Sequence, residues 1–392
     1  MIDVVVVGAG PSGMALAILL LEAGRSVRVL ESRTAIGEHS RAIGIHPPGL
    51  AVLDRLGVGA AALEAGVPIT RGVGISRGRV VAELGFGSIP AGHRFVLSLP
   101  QNQTVALLRE RLEALDPSAL LVGHEFTAFA AHPGFHDVEA DEAGGGRTRL
   151  RCRFVVGADG TRSAVRRAAR LPFRGRDLPD RYLMGDYPDR TGLGPVAVLF
   201  LHGHGITESF PLPGNRRRWV ARLRDSGTAS LPELIAQRTG HRVEGGENTM
   251  LSEFGTANFA VGSMNHPNLL LIGDAAHEVS PIGGQGMTLG LLDAAELAPV
   301  LDAALGGRLP RERIEEQLAG VSRRRLAAAR RAARQARVNM ALGRPLGGPA
   351  AAARDALAHA LFASDRFSAA VAATFTMTGP GSGGWPAGEG PG

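Results

Sequence analysis

The sequence predicts an α/β fold: a Rossmann-like, parallel-sheet domain, an inserted and mostly antiparallel β-sheet unit, and helices at the C-terminal end. Three observations carry that prediction. The chain opens on Val4-Val5-Val6-Val7, then passes through Gly8-Ala9-Gly10-Pro11-Ser12-Gly13 into Met14-Ala15-Leu16-Ala17-Ile18-Leu19-Leu20: a strand, a tight turn and a helix. Two later apolar runs, Phe154-Val155-Val156 and Leu269-Leu270-Leu271-Ile272, each deliver a glycine and an aspartate, at the strand end where ligands collect in open α/β sheets. Between them, from about 171 to 267, short strand-like runs punctuated by Pro and Gly replace the alternation of strand and helix.

In the opening turn Gly8 permits the bend, Gly10 lets backbone N–H groups approach a pyrophosphate, and Gly13 lets the helix pack on the strand. Pro11 and Ser12 begin the helix, whose unpaired N–H groups and partial positive charge favour an anion. A dinucleotide is the expected ligand. The second strand, Val27 to Leu30, ends in Glu31, about 20 residues past the glycines, where a carboxylate accepts hydrogen bonds from a ribose. Glu31, followed by Arg33, favours an adenosine ribose without a phosphate.

The remaining elements follow in order. Arg41 to His46 alternates like a strand, and Pro47-Pro48 opens a helix ending near Leu56-Gly57. Gln101 to Leu115 is helical, with Val105, Leu108 and Leu112 on one face, and Gly144-Gly145-Gly146 turns a hairpin. Strands are expected over 196–201, 206–210 and 218–223, a long helix from Gln285, and Ala-rich helices over 311–376. The expected division is a dinucleotide-binding domain of residues 1–67, 101–170 and 268–340, and a β-sheet unit of 68–100 and 171–267. A helical segment covers 341–378, and the Gly/Pro-rich stretch 379–392 is expected to be disordered.

All 43 basic residues are Arg, yet the net charge is only +6, so the pI of 10.8 overstates the positive character. The clusters Arg323-Arg324-Arg325 and Arg330-Arg331-Ala332-Ala333-Arg334 have helical spacing and no interleaved aromatics, which favours a solvated helix face over a nucleic-acid site. Contact with an anionic membrane surface is the minor alternative. The single Cys152 excludes an internal disulfide framework and a dithiol redox centre. The first twenty residues lack the basic start of a signal peptide, and no uninterrupted apolar run reaches the roughly 18 residues of a membrane span. A cytoplasmic location is the expectation.

Three segments together resemble the single-component (group A) flavoprotein monooxygenases built like p-hydroxybenzoate hydroxylase. They are Gly8 to Gly13 with Glu31, the run Gly157-Ala158-Asp159-Gly160-Thr161-Arg162-Ser163, and Gly273-Asp274-Ala275-Ala276-His277 followed by Pro281-Ile282-Gly283-Gly284-Gln285-Gly286-Met287. The resemblance spans about 300 residues in order and spacing. It implies a glutathione-reductase-type FAD-binding domain and places Asp159 and Gly160 near the FAD pyrophosphate and the nicotinamide approach. Gly273 and Asp274 would hold the ribityl chain, since a carboxylate accepts bonds from polyol hydroxyls. Pro281, Gly284, Gly286, Met287 and Thr288 would meet the flavin, whose pyrimidine edge gains negative charge on reduction beside a helix N-terminus. Arg41 and Gln101 would reach the phosphates and ribityl chain.

Two departures stand out. Thr288 replaces the family's usual Asn, and Val105 stands where many relatives have Glu. The resemblance further implies NADPH or NADH as a transient reductant, because no second dinucleotide fold is visible. It implies O2 as co-substrate and hydroxylation of a phenolic or polyketide-like aromatic by a flavin C4a-hydroperoxide. A flavin epoxidase, a reductase of isoprenoid double bonds and a noncatalytic FAD-binding protein are the alternatives. Phe210, Pro211, Pro281 and Ile282 are candidates for the substrate pocket. His202, His204 and His46 are candidates for a phenol-activating base, although surface positions are the favoured reading of the first two. Metal is not expected, for no Cys or carboxylate cluster accompanies the histidines. The expected assembly is a monomer or homodimer.

Overall fold

A computed structural model describes residues 1–35, 37, 41–223 and 229–379. The chain opens with β1 (Ile2–Val7), α1 (Pro11–Glu22) and β2 (Val27–Glu31), then β3 (Gly44–Ile45), α2 (Pro47–Arg55) and α3 (Gly59–Ala65). Strands β4 (Val67–Ile69), β5 (Arg71–Ser76), β6 (Arg79–Gly85) and β7 (Val96–Ser98) lead to α4 (Gln101–Leu115). Next come β8 (Leu120–Val122), β9 (His124–His132), β10 (Phe135–Glu142), β11 (Arg147–Gly157) and α5 (Ala164–Ala168). The middle of the chain holds β12 (Phe173–Pro188), β13 (Ala197–His202), β14 (Gly205–Leu212), β15 (Arg216–Arg222), α6 (Leu231–Thr239) and β16 (Met250–Val261). The last strands are β17 (Asn265–His266), β18 (Leu269–Leu271) and β19 (His277–Glu278). Four helices close the chain: α7 (Gly286–Leu305), α8 (Arg311–Leu342), α9 (Gly348–Phe362) and α10 (Asp365–Phe375).

The first sheet runs in the order β17, β18, β11, β1, β2, β8. From β18 to β8 every pairing is parallel, while β17 and the β9–β10 hairpin add antiparallel strands. A parallel sheet is covered on both faces, so its strands read as unbroken apolar runs, and Val4 to Val7 are all buried. Helix α1 is buried from Met14 to Leu20 because it packs against the sheet, α4 and α7. The second sheet has the order β19, β16, β12, β15, β14, β13, β5, β6, antiparallel except where β13 meets β5. A third, small sheet joins β3, β7 and β4.

Three details differ from the sequence reading. The expected strand over 41–46 shrinks to Gly44–Ile45; the preceding carbonyls of Ile43 and Ala42 instead accept from Leu99 and Gln101 N–H outside a regular ladder. Strand β12 runs 16 residues through Pro179, tolerated because the β12–β16 register shifts between Leu178 and Arg181, so proline's missing donor falls in a bulge. Helix α6 lies in the unit read as sheet, although its signals are in the sequence: a Ser230–Glu233 capping box and Gly240 at φ +76 closing the helix. Residues 380–392 of the expected disordered tail lie outside the described residues.

Candidate active site

Because β1, β11 and β18 are parallel neighbours, the turns that follow them open side by side on one edge of the sheet. Gly8 has φ +105, and a Cβ there would stand 2.5 Å from the Ala158 carbonyl oxygen, so β1 can turn tightly against the end of β11. A Cβ on Gly13 would stand 2.1 Å from the Gly8 oxygen; its role is helix–strand packing. Gly10 is different: an added Cβ would meet nothing within 4 Å, so the N-terminus of α1 faces open space. Glu31 Oε2 accepts from Ala9 N–H at 3.0 Å, and Oε1 accepts from the Arg33 N–H and Nε at 3.0 Å each. Burial works to raise its pKa, but the hydrogen bonds from Arg33 and Ala9 outweigh it and hold the carboxyl below its ordinary value.

Asp159 caps α5: its Oδ2 accepts from Ala164 N–H at 2.6 Å and Val165 N–H at 3.1 Å. Its Oδ1 is buried without a hydrogen-bond partner among the described residues. In the third turn, Ser12 is wedged between two glycines; a Cβ on Gly273 would stand 2.7 Å, and on Gly290 2.1 Å, from its Oγ. Behind that turn Asp293 Oδ2 accepts from Gly273 N–H at 2.9 Å and from His277 Nε2 at 2.7 Å, while Oδ1 accepts from Arg325 Nε at 2.7 Å. Asp293 and Arg325 are fully buried. Burial opposes the charge on Asp293, yet His277 and Arg325 hold its pKa far below the usual range, and Asp293 in return raises that of His277 against burial. Asp274 points the other way, into a cavity, and its carboxylate accepts no hydrogen bond from the described residues. Although Asp274 is open to the cavity, desolvation by the surrounding walls raises its pKa; the nearby His277 works against that rise and the Asp293 charge adds to it.

The cavity has a volume of about 1420 Å³ and joins the nucleotide crevice to a chamber under the second sheet. Gly8, Gly10, Pro11, Ser12, Glu31, Arg33, Arg41, Gln101, Asp159 and Gly160 line one end. Asp274, Pro281, Gly284, Gly286 and Met287 line the middle, and Phe210 and Ile282 the chamber. Gly13 and Gly273 shape the wall from behind it. Pro211 is not at the wall; its carbonyl accepts from Ser98 Oγ at 2.6 Å. Thr288 is corrected as well: fully buried, it accepts from His46 N–H at 3.1 Å through Oγ1 and packs on Gly49 of α2 rather than facing the cavity. Arg41 reaches the wall, but its Nε donates to Ser252 Oγ at 3.3 Å and the guanidinium lies 6.0 Å from the Phe254 ring centre.

Of the three candidate histidines, His46 meets the cavity and His202 and His204 do not. His46 Nε2 donates to the Gly283 carbonyl at 3.0 Å, and burial pushes its pKa down to about 4, so it is a neutral support for the glycine turn. His202 and His204 sit at the β13–β14 turn with ring centres 5.0 Å apart, off the cavity wall, which is the surface reading of that pair. Among the described residues no group of three or more His, Cys, Asp or Glu is placed to hold a metal ion. Burial pushes the Cys152 thiol up to about 12, leaving it inert. Sequence reasoning missed two parts of the site. One is the outer wall made by α9 and α10, where Phe375 stacks on Phe86 at 5.9 Å and meets the His46 ring edge at 5.4 Å. The other is Glu208 on β14.

The crevice suits FAD on several independent observations. Space opens at the α1 N-terminus, Glu31 waits at the end of β2, and the unpartnered Asp274 carboxylate borders the passage into an apolar chamber. The FAD binding domain family matches residues 1–205 and 210–336. The chain is 31% identical over 366 residues to 6-methylpretetramide 4-monooxygenase of Streptomyces rimosus, covering 87% of this chain and 85% of that protein. It is 31% identical to the 12-dehydrotetracycline 5-monooxygenase/anhydrotetracycline 6-monooxygenase of Streptomyces rimosus, covering 80% of this chain but 65% of that one. The fold matches p-nitrophenol 4-monooxygenase of Pseudomonas putida with a TM-score of 0.86 at 22% identity, over 97% of this chain and 99% of that one. With three strand-end turns converging on one crevice and these likenesses across most of its length, the chain belongs to the FAD-dependent aromatic monooxygenases of the p-hydroxybenzoate hydroxylase-like flavoprotein family.

Proposed function

We propose that this enzyme uses NADPH or NADH and O2 to hydroxylate a phenolic or polyketide-like aromatic small molecule. The observation that carries the reading is the continuity of the cavity: one space runs from the α1 N-terminus past Asp274 to a chamber walled by Phe210, Ile282, Val220 and Phe375. A flat, apolar ligand suits that chamber, and a relative that acts on 6-methylpretetramide supports the polyketide-like class. When bound, FAD supplies the redox and oxygen chemistry. The protein's own work is to bind, orient and exclude water.

In this reading the α1 N-terminal N–H groups meet the pyrophosphate through the opening that Gly10 leaves, and Glu31 accepts from the adenosine ribose. Asp274 accepts from the ribityl hydroxyls, held in register by the Asp293–His277–Arg325 cluster behind it. The Gly283–Gly284 turn, supported by His46, sets the α7 N-terminus toward the flavin's pyrimidine edge. Gln101 and Arg41 border the same passage, Arg41 being available once it leaves Ser252. Water is kept out by the second sheet on one side and by α9 and α10 on the other. A cytoplasmic place, where NAD(P)H is at hand, and a monomeric or homodimeric state complete the proposal.

The test is the visible spectrum of the purified protein before and after anaerobic NADPH, with a panel of phenols. Yellow protein that bleaches faster with one phenol supports the reading. Protein that takes up no FAD overturns it, and bound flavin that NAD(P)H never reduces under any of the phenols removes the hydroxylase assignment.

A further inference from the structure

Glu208 lies in the middle of the chamber floor. Its direct cross-strand partners are Leu199 on β13 and Val220 on β15; Val220 in turn faces Met184 on β12, and Leu199 faces Gly74 on β5. All five residues line the cavity, so a single carboxylate interrupts an otherwise apolar row five strands wide. The side chain is 7% exposed, and neither a hydrogen bond nor an ion pair from any described residue reaches it. Arginines of the adjacent strand β15, and Arg344 beyond α8, are already committed. Arg218 is held bidentate by Asp186 at 2.7 and 2.8 Å, and Arg222 and Arg344 by Asp180 at 2.8 and 3.0 Å. Tyr182 on β12 lies near enough to feel the Glu208 charge, but its buried hydroxyl makes no hydrogen bond to the described residues.

A carboxylate in this setting is expensive unless something donates to it, and the free direction is the cavity. We propose that Glu208 is the substrate-recognition carboxylate of the chamber, accepting a hydrogen bond, and then the proton, from a hydroxyl on the aromatic substrate. The inference rests on the reading of this chamber as the aromatic-substrate site. In the proton transfer the substrate O–H bond breaks, its proton passes to a Glu208 oxygen and the electron pair stays on the phenolate oxygen, which enriches the ring for attack by an electrophilic oxygen. The proton returns to that oxygen before product leaves, so Glu208 is unchanged over a turnover. Burial pushes the Glu208 carboxyl up to about 7, which brings its basicity toward that of an acidic phenol and poises it near neutral pH. An amide in its place keeps the shape and a hydrogen-bonding group but cannot take the proton.

The experiment compares the FAD-loaded enzyme with Glu208→Gln, titrating each with 1-naphthol, 1,8-dihydroxyanthraquinone and 1-methoxynaphthalene at pH 6 to 8.5. Flavin and ligand absorption are followed. The wild type should bind a hydroxyarene at least tenfold more tightly than Glu208→Gln, with its spectrum moved toward the phenolate. The methoxy compound, with no proton to give, should bind both proteins alike. FAD content and melting temperature should be unchanged or slightly raised in the variant, because a buried charge is removed. Equal hydroxyarene binding and equal pH profiles in the two proteins overturn the proposal, as does equal binding of the methoxy and hydroxy compounds to the wild type. If the loaded wild type is reduced by NADPH yet binds neither hydroxyarene, Glu208 is not a hydroxyarene site while the flavoenzyme reading stands. Failure to load FAD would instead strike the functional reading itself.

Discussion

Gly10 and Gly13, three residues apart in the same motif, do unlike jobs, and substitution separates them. Gly13→Ala places a methyl 2.1 Å from the Gly8 oxygen, so α1 must shift, at a cost of about 1–3 kcal/mol in urea unfolding. Gly10→Val meets no protein atom within 4 Å, so the fold should lose about 1 kcal/mol or less while FAD retention through gel filtration drops sharply. Asp274→Ala should likewise yield folded protein largely free of flavin; a normal FAD content would remove Asp274 from the binding role. His46 gives a pH signature of its own. Its pKa is near 6.5 in the unfolded chain and about 4 when folded, so below pH 6.5 the unfolded chain takes up a proton that the folded chain refuses. Stability present above pH 6.5 is therefore lost as pH falls toward 4, by up to roughly 3 kcal/mol, and His46→Gln should flatten that part of the profile.

At the scale of elements, α7 and α8 are tied to the Gly273 turn by buried charge. Asp293 on α7 bonds Gly273 N–H, His277 and Arg325 on α8, and Arg325 also reaches Glu296 and the Leu289 carbonyl. Asp293→Ala leaves Arg325 and His277 buried without their shared anion and strips the Gly273 N–H of its acceptor. The expected loss is about 3–5 kcal/mol in chemical denaturation, with weaker FAD binding before global unfolding. The gross Gly-Asp motif is plain in the sequence; its support from residues twenty and fifty positions onward is visible only once the helices are packed.

At the scale of the whole molecule, the chamber closes only because the C-terminal helices fold back over the second sheet. Both α9 and α10 pack on β6, and Phe375 reaches His46 and Phe86. A chain ending at residue 346 should keep the first sheet, its helices and FAD, yet lose tight substrate binding and consume NAD(P)H with release of hydrogen peroxide in place of product. Peroxide assay alongside product analysis checks this. Coupled turnover in the shortened chain would show that the sheet alone shields the chamber.

The sequence by itself determined the parallel domain, its three turns and the dinucleotide end of the cavity. Those features are local: a glycine's missing side chain, a helix N-terminus and a strand-end carboxylate act within a few residues of one another, so spacing alone reveals them. It also carried the signals for α6 in its capping box and closing glycine, though Pro and Gly punctuation around them read as sheet. Only the tertiary structure decided that Thr288 faces α2, that Arg41 rests on Ser252 and that His202 and His204 stay outside. It alone decided that Glu208 stands between Leu199 and Val220 on the cavity wall. In its strand Glu208 is the middle of a polar run, Thr207-Glu208-Ser209, with no period-two signal to say which residue faces the cavity; that all three are buried, and that Glu208 takes the cavity side, depends on pairing with β13 and β15 and on helices more than a hundred residues away.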